Sequence, residues 1–418
     1  MIIAKKMKKK ILIILPGLPY PLDSGGNQGA YHMIDAINDC FDVYLWYLSD
    51  YSIDKKTENE FLDSLSGKCK IFHTVKEKGL NIATARGIHY KVDSFLLRKN
   101  LEFRHNKTIW GKETSSRFDN YILEDIRCII VKNKIDAVQI EFTDLMDYVY
   151  ALPSYVKKIF VHHELGFARK KTLLANIPDK SAYDEFMFNR SLAREISTLN
   201  QYDTVVALTE IDKNKLIHEG VSVPVKVSPL FIPRNCKDYP NFMPSENRLS
   251  FIASGAHYPN VEGLLWFINE VHPILATKIR YELYIIGSKW EENIISKVPS
   301  NMHFMGFVRE LKNAVPGSVM IVPILSGSGM RMKILESVNN SVPFVSTSVG
   351  VEGLNFTNSI DCYIEDNPRE FAEKICYLLN HVEKQRSFVM NSRKIYESLY
   401  SEDVLSNIRL DILNSILV

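Results

Sequence analysis

Between Val227 and Leu249 the chain carries Pro229, Pro233, Pro240 and Pro244, together with Asn235, Asp238 and Asn241. Proline lacks the backbone donor that a helix interior or central strand needs, and Asn and Asp favour turns, so this stretch reads as a linker. It separates two series of one kind. Before it, Ile11–Leu15 is a continuous apolar run stopping at Pro16-Gly17, the pattern of a parallel strand covered on both faces. A helix is expected over Gly29–Cys40 and a strand over Val43–Leu48. Strands are expected again at Ala137–Ile140, Lys158–His162 and Thr204–Leu208, with helical stretches at Arg117–Lys132 and Ser181–Leu199. After the linker come a strand at Leu249–Ala253 and a helix over Val261–Ala276, with Leu264, Leu265, Ile268, Val271 and Leu275 on one stripe. Strands at Glu282–Ile286, His303–Phe304, Val319–Pro323 and Phe344–Ser346 follow, and Asp403–Leu417 suits a closing helix. Strands alternating with helices build βαβ units on parallel sheets. The fold class is therefore α/β, with Rossmann-like domains over residues 1–230 and 249–400, a linker at 231–248 and a closing helix at 401–418. Two such halves leave a cleft at the carboxyl ends of their strands, where ligands of these sheets bind.

Composition narrows the function classes. The 418 residues suit two domains, or three. The six cysteines, Cys40, Cys69, Cys128, Cys236, Cys362 and Cys376, are scattered without a C-x-x-C pair, which speaks for a reducing, cytoplasmic setting and against a disulfide framework or zinc site. A net charge of +2 gives no footprint for nucleic acid. No apolar run reaches the roughly 18 residues that a spanning helix needs. Lys5, Lys6, Lys8, Lys9 and Lys10 precede the first strand; they form either a solvated leader or a peripheral contact with anionic lipid at the inner face of a membrane.

The strongest local signal is the run from Pro323 to Glu336, in which Ser326-Gly327-Ser328-Gly329 joins a strand end to a helix carrying Arg331, Lys333 and Glu336. Glycines let backbone approach a ligand closely, and N–H groups at a helix start favour an anion. Arg331 and Lys333 add two positive charges within one turn, so the run is a plausible seat for a diphosphate. Glu336 is acceptor-only with two oxygens, which suits a ribose diol. The competing interpretation is a Lys333–Glu336 surface pair worth a few tenths of a kcal/mol.

The segment Gly-Ser-Gly-x-Arg-x-Lys-x-Leu-Glu-Ser, with Val342–Thr347 and Gly350-Val351-Glu352-Gly353 after it, resembles the donor-site signature of retaining family-4-type GT-B glycosyltransferases. Ser254-Gly255 with Pro259–Gly263 resembles the first loop of that family's donor domain; Ile285-Ile286-Gly287 and Gly306-Phe307-Val308 resemble its later strand ends, and Asp203–Thr209 the last strand of its acceptor domain. These pieces span most of the chain in the family's order. The resemblance implies a GT-B fold and a sugar moved from a nucleotide diphosphate donor to a glycan or lipid-linked hydroxyl with retention. Glu336 would hold the ribose, Arg331 and Lys333 the departing diphosphate, and strand-end backbone near Gly287, Phe307 and Val308 would flank the base. Gly255, Gly327, Ser328 and Gly329 would complete the donor site. Two departures stand out. The family's first glutamate, expected near Ser326, is missing, and so is the usual lysine near Asn260.

In the first half, Pro19–Asn27 resembles the family's glycine-containing loop, and Gly25 and Gly26 would let backbone pack against phosphate or acceptor; an ordinary turn is the alternative. His162-His163-Glu164 follows a strand, and the family often places a histidine there facing the reacting sugar. Adjacent histidines point differently, so one is expected to face the cleft; His163 is the choice, as a group that donates a hydrogen bond or accepts a proton. Arg169 would pair with Glu164 or an acceptor. The basic, aromatic stretch Arg86–Lys112 is either a solvated helical pair or a flap toward a lipid-phosphate or polysaccharide acceptor. No Asp-x-Asp stands at a strand end, so neither a metal nor a cofactor beyond the donor substrate is expected. The rival readings are a GT-B epimerase or hydrolase and a non-catalytic GT-B subunit that binds a partner enzyme.

Overall fold

A computed structural model of the chain describes residues 8–22, 25–49, 55–75, 120–175, 177, 179–231 and 240–417. The Arg86–Lys112 stretch, Lys5 and Lys6 of the leader, and Pro233, Asn235, Cys236 and Asp238 of the linker lie outside these residues.

Among the described residues, one sheet comprises β1 (Lys10–Leu15), β2 (Asp42–Ser49), β3 (Lys70–Val75), β4 (Ala137–Glu141), β5 (Lys157–His162), β6 (Thr204–Ala207) and β7 (Val225–Val227). All pairings are parallel, in the order β3-β2-β1-β4-β5-β6-β7. β1 lies between β2 and β4, with Ile13 level with Leu45 and Gln139. Ile11, Leu12, Ile13 and Ile14 are wholly buried, which is why this strand has no polar face.

The second sheet comprises β8 (Arg248–Ile252), β9 (Glu282–Ile286), β10 (Met302–Gly306), β11 (Val319–Val322), β12 (Phe344–Ser346) and β13 (Tyr363–Ile364), again all parallel, in the order β10-β9-β8-β11-β12-β13. In both sheets the order reverses beside the first strand, so the carboxyl ends there open a crevice.

Three local differences from expectation have physical reasons. The first helix runs over Gly25–Ile37, not Gly29–Cys40, so Gly25 and Gly26 open the helix instead of lying in the loop before it. The expected Val261–Ala276 helix is a Tyr258–Trp266 α-helix, a π turn at Phe267–Val271 and an α-helix at His272–Lys278. Pro273 has no N–H to donate, and the wider turn before it absorbs that missing bond. β3, β7 and β13 were not expected: β3 is a half-buried edge strand and the other two are three and two residues long.

The closing helix, Glu402–Leu417, leaves the second half and packs against the Gly25–Ile37 helix of the first. Its Leu405 and Leu413 are fully buried. No helix among the described residues is long and apolar enough to cross a membrane.

Candidate active site

β11 ends at Val322, just before Pro323, and the Ser326–Gly329 loop turns back before the Met332–Asn339 helix. Gly327 and Gly329 sit at φ +105° and +80°, in left-handed backbone that a side chain strains. Gly329 has a second constraint: a Cβ there would lie 2.3 Å from the His163 carbonyl oxygen. Beside it, the Leu165 N–H donates to the Ser328 hydroxyl at 2.8 Å. The loop is therefore pressed against the end of β5, so the seam between the halves runs through both sequence motifs. Ser328 spends its hydroxyl on this bridge.

The two cations diverge. Arg331, the N-cap residue of the helix, turns its Nη1 back onto the carbonyls of Ser328 and Gly329. Its Nε and Nη2 are buried without a hydrogen-bond partner among the described residues. Burial lowers its pKa, opposed by the charges of Glu164, Glu352 and Asp212. Lys333 points the other way. Its ammonium donates to Asn260 Oδ1 at 2.6 Å and lies 4.8 Å from the Phe251 ring centre. Lys333 thus reaches Asn260, near which the sequence lacks the expected lysine, in the first turn of the Tyr258–Trp266 helix. Burial, with Arg331 adding to it, pushes the Lys333 pKa down to about 7.

Glu336 is buried and does not form the surface pair with Lys333. Its Oε1 accepts from Gln28 Nε2 of the first helix at 2.9 Å, across the seam. Burial raises its pKa, against the pull of Gln28 and Lys333. Gly25 makes that approach possible, since a Cβ on it would lie 2.6 Å from Met332 Cγ. Lys215 and Glu352 join the halves again, at 2.9 Å.

On the β5 side the two histidines separate as their alternation demands. His162 is turned inward to Glu195, at 2.9 Å, whose carboxylate also accepts from the Gly166 and Phe167 N–H groups. His163 faces the seam. Its Nε2 lies 2.8 Å from Glu141 Oε2, and its ring stacks on Phe142 with centroids 3.9 Å apart. Phe142 holds a φ of +69°, rare for a bulky residue and a local strain that aims its ring at His163. A Cβ on Gly26 would meet Phe142 at 2.8 Å and lie 3.9 Å from His163 Nδ1. Burial raises the Glu141 pKa, but His163, Arg409 and Gln139 outweigh it and hold the carboxyl below its usual range. Arg169 pairs with Glu164 at 3.3 Å.

Gly25, Gly26, His163, Ser328, Gly329, Arg331 and Glu336 thus meet along the seam, while Lys333 is turned into the second half, onto Asn260 and Phe251. Gly255, Gly287, Phe307 and Val308 lie apart from the seam, at the β8–β10 ends. Gly287, at φ +140°, is required by backbone packing on the Ala253 carbonyl, and Gly255 packs on Lys289 and Trp290. Phe307 is exposed and Val308 part-buried. Sequence reasoning missed Gln28, Glu141, Phe142 and Glu262. Glu141 had a signal, a carboxylate closing the expected strand Ala137–Ile140. Glu262, from the Tyr258–Trp266 helix, accepts the Ser326 hydroxyl. A carboxylate from another element therefore stands beside the position where the family's first glutamate was expected.

The Gly329 contact carries a prediction. Gly329→Ala adds both a left-handed strain and a backbone clash, together about 1–3 kcal/mol. The unfolding free energy is expected to fall by that amount, read by denaturant titration. Wild-type stability would mean that the loop does not press on the His163 carbonyl in solution.

Two Rossmann-like sheets joined by such a seam are the GT-B architecture, and the comparisons agree. Residues 248–381 match the family Glycosyl transferases group 1. A curated relative, "Uncharacterized 44.6 kDa protein in cps region" of Klebsiella pneumoniae, is 21% identical, covering 94% of this chain and 100% of its own. Sucrose-phosphate synthase from Thermosynechococcus elongatus superposes with a TM-score of 0.69 at 13% identity, covering 98% of this chain and 99% of that one. A mutant of S. aureus TarM, in complex with Fondaparinux, alpha-GlcNAc-glycerol and UDP, superposes at 0.66 and 12% identity, covering 97% and 100%. The fold is GT-B, and within it residues 248–381 are similar to the Glycosyl transferases group 1 family.

Proposed function

We propose that the protein moves a sugar from a nucleotide diphosphate sugar to a hydroxyl of a glycan or lipid-linked acceptor, with retention and without a metal ion or further cofactor. The observation that carries this reading is the convergence of Glu336, Arg331 and His163 on one seam between two Rossmann-like sheets, with Lys333 close behind Arg331 at the same helix start. Glu336 holds the ribose, releasing Gln28 as it does so. Arg331 and Lys333, with the N–H groups opening the Met332–Asn339 helix, take the charge that grows on the leaving diphosphate. The acceptor hydroxyl attacks from the face the diphosphate leaves, and His163 handles a proton or a hydrogen bond there. Glu262 and Ser326 supply the polar contact to the transferred sugar. Position and electrostatics do the catalysis, with no covalent nucleophile. A surface-glycan precursor is the proposed acceptor, in keeping with the relative described by its cps region, and the cytoplasm the proposed compartment.

The test is a panel of UDP-, GDP-, ADP- and dTDP-sugars screened by thermal shift, followed by measurement of nucleotide release and product anomeric configuration. One family of donors is expected to stabilise the protein, by roughly 2.7 kcal/mol at a hundred times Kd. Inversion at the anomeric carbon would remove the front-face course. Binding without turnover across a broad acceptor set would favour the non-catalytic subunit.

Cationic side chains already answer the leaving group's charge, so transfer is expected to proceed at an unchanged rate in EDTA. Loss of activity on chelation, restored by manganese, would overturn this arrangement.

A further inference from the structure

The closing helix brings a charge to a place that the proposed chemistry has not used. Arg409 stands midway along Glu402–Leu417 and is 2% exposed. Its Nη1 donates to Gln139 Oε1 at 3.4 Å; Gln139 Nε2 donates to Glu141 Oε1 at 2.6 Å; and Glu141 Oε2 lies 2.8 Å from His163 Nε2. Gln139 and Glu141 are two apart on β4 and so share a face. Gln139 is wholly buried and Glu141 nearly so.

The order of groups leaves little freedom. A guanidinium only donates and a carboxylate only accepts. An amide caught between them satisfies both in one orientation, Oε1 toward Arg409 and Nε2 toward Glu141. An ionised Glu141 in turn requires the hydrogen on His163 Nε2. That leaves Nδ1 as the free nitrogen, on the side of Gly26 and the seam. The charged groups that act on the Glu141 carboxylate are His163 from the end of β5 and Arg409 from the closing helix, with neutral Gln139 beside it on β4. His162, the neighbour on β5, is engaged by Glu195 on the opposite face.

A buried arginine is an expensive way to dock a helix, because its desolvation must be recovered from the charges around it. An apolar residue would pack there at lower cost, as Leu405 and Leu413 do. We propose that Arg409 is a positioning residue: through Gln139 it holds Glu141 ionised and fixes His163 with hydrogen on Nε2 and its Nδ1 open to the seam. This rests on the reading of His163 as the proton-handling group, and it makes the first half's reactive group depend on the last helix of the chain.

The test does not need a substrate. The full chain labelled with 15N-histidine is titrated by NMR, with His163 assigned by the signal lost in His163→Gln. Wild type is expected to show the Nε2–H tautomer. Arg409→Gln removes a cation facing the Glu141–His163 pair, so the pair takes up its proton at higher pH. The midpoint should rise by about one unit, and the tautomer should become mixed. Arg409→Lys should restore most of both. An unchanged midpoint and tautomer in folded Arg409→Gln would reduce Arg409 to a packing residue. Should that variant not fold, Gln139→Leu carries the decision, since it breaks the relay and keeps the arginine; a wild-type tautomer there overturns the proposal. Failure of sugar transfer would leave these spectra unaffected, so the two readings fail separately.

Discussion

Lys333→Met is expected to weaken nucleoside diphosphate binding by about 30-fold to several-thousand-fold, and Arg331→Ala by a similar factor. Removing one partner of a close charge pair in a partly closed site costs roughly 2–5 kcal/mol, at about 1.4 kcal/mol per tenfold. The structure adds a signature in pH. Burial holds the free Lys333 pKa at about 7, and a bound diphosphate favours the ammonium and raises that value. The complex therefore binds more protons than the free protein above pH 7, so affinity falls as pH rises, by about tenfold per unit. Below 7 the lysine is already charged, and its contribution is flat. Lys333→Met should lose this slope along with the affinity. Glu336→Ala should act differently, weakening nucleosides as well as diphosphates and leaving inorganic pyrophosphate untouched. Calorimetry with pyrophosphate, nucleoside and nucleoside diphosphate from pH 6 to 9 separates these effects. Identical pH slopes in wild type and Lys333→Met would remove the lysine from the seat.

How far the sequence revealed this site depends on which interactions are local. The Gly-Ser-Gly loop and the helix after it are contiguous, and left-handed glycines at 327 and 329 are what such a turn requires. Strands with unbroken apolar runs, such as Ile11–Leu15, were legible because burial on both faces leaves no alternative pattern. The direction of each cation was not legible. Arg331 and Lys333 are two residues apart, and only the packed structure shows one facing its own loop carbonyls and the other Asn260. Partners across the seam were equally hidden. Gln28 and Glu336 lie 308 residues apart, and Arg409 and Gln139 270 apart. No periodicity within either segment encodes such a pairing. The start of the first helix was misplaced because Gly25 and Gly26 are poor helix formers; tertiary contact with Met332 and Phe142 selects them there for their lack of a side chain.

The adjacent histidines offer the sharpest separation of catalysis from stability. His163→Ala is expected to lower kcat by about 10²- to 10⁴-fold, the range for loss of a positioned acid–base group. Nucleotide affinity should change little, because the ring's contacts are Glu141 and Phe142 and not the Lys333 seat. His162→Ala should do the opposite. That side chain is fully buried against Glu195, and its loss leaves part of a buried carboxylate without a donor, at about 1–3 kcal/mol. The Gly166 and Phe167 N–H groups still reach Glu195, which limits the damage. The result should be a lower melting temperature with kcat per folded molecule preserved. Steady-state rates with the donor found by screening, set beside thermal melts of each variant, give the comparison. A His163→Ala enzyme of ordinary kcat, paired with a folded but inactive His162→Ala enzyme, would place the chemistry on the other face of β5 and leave the Glu141 relay without a catalytic purpose.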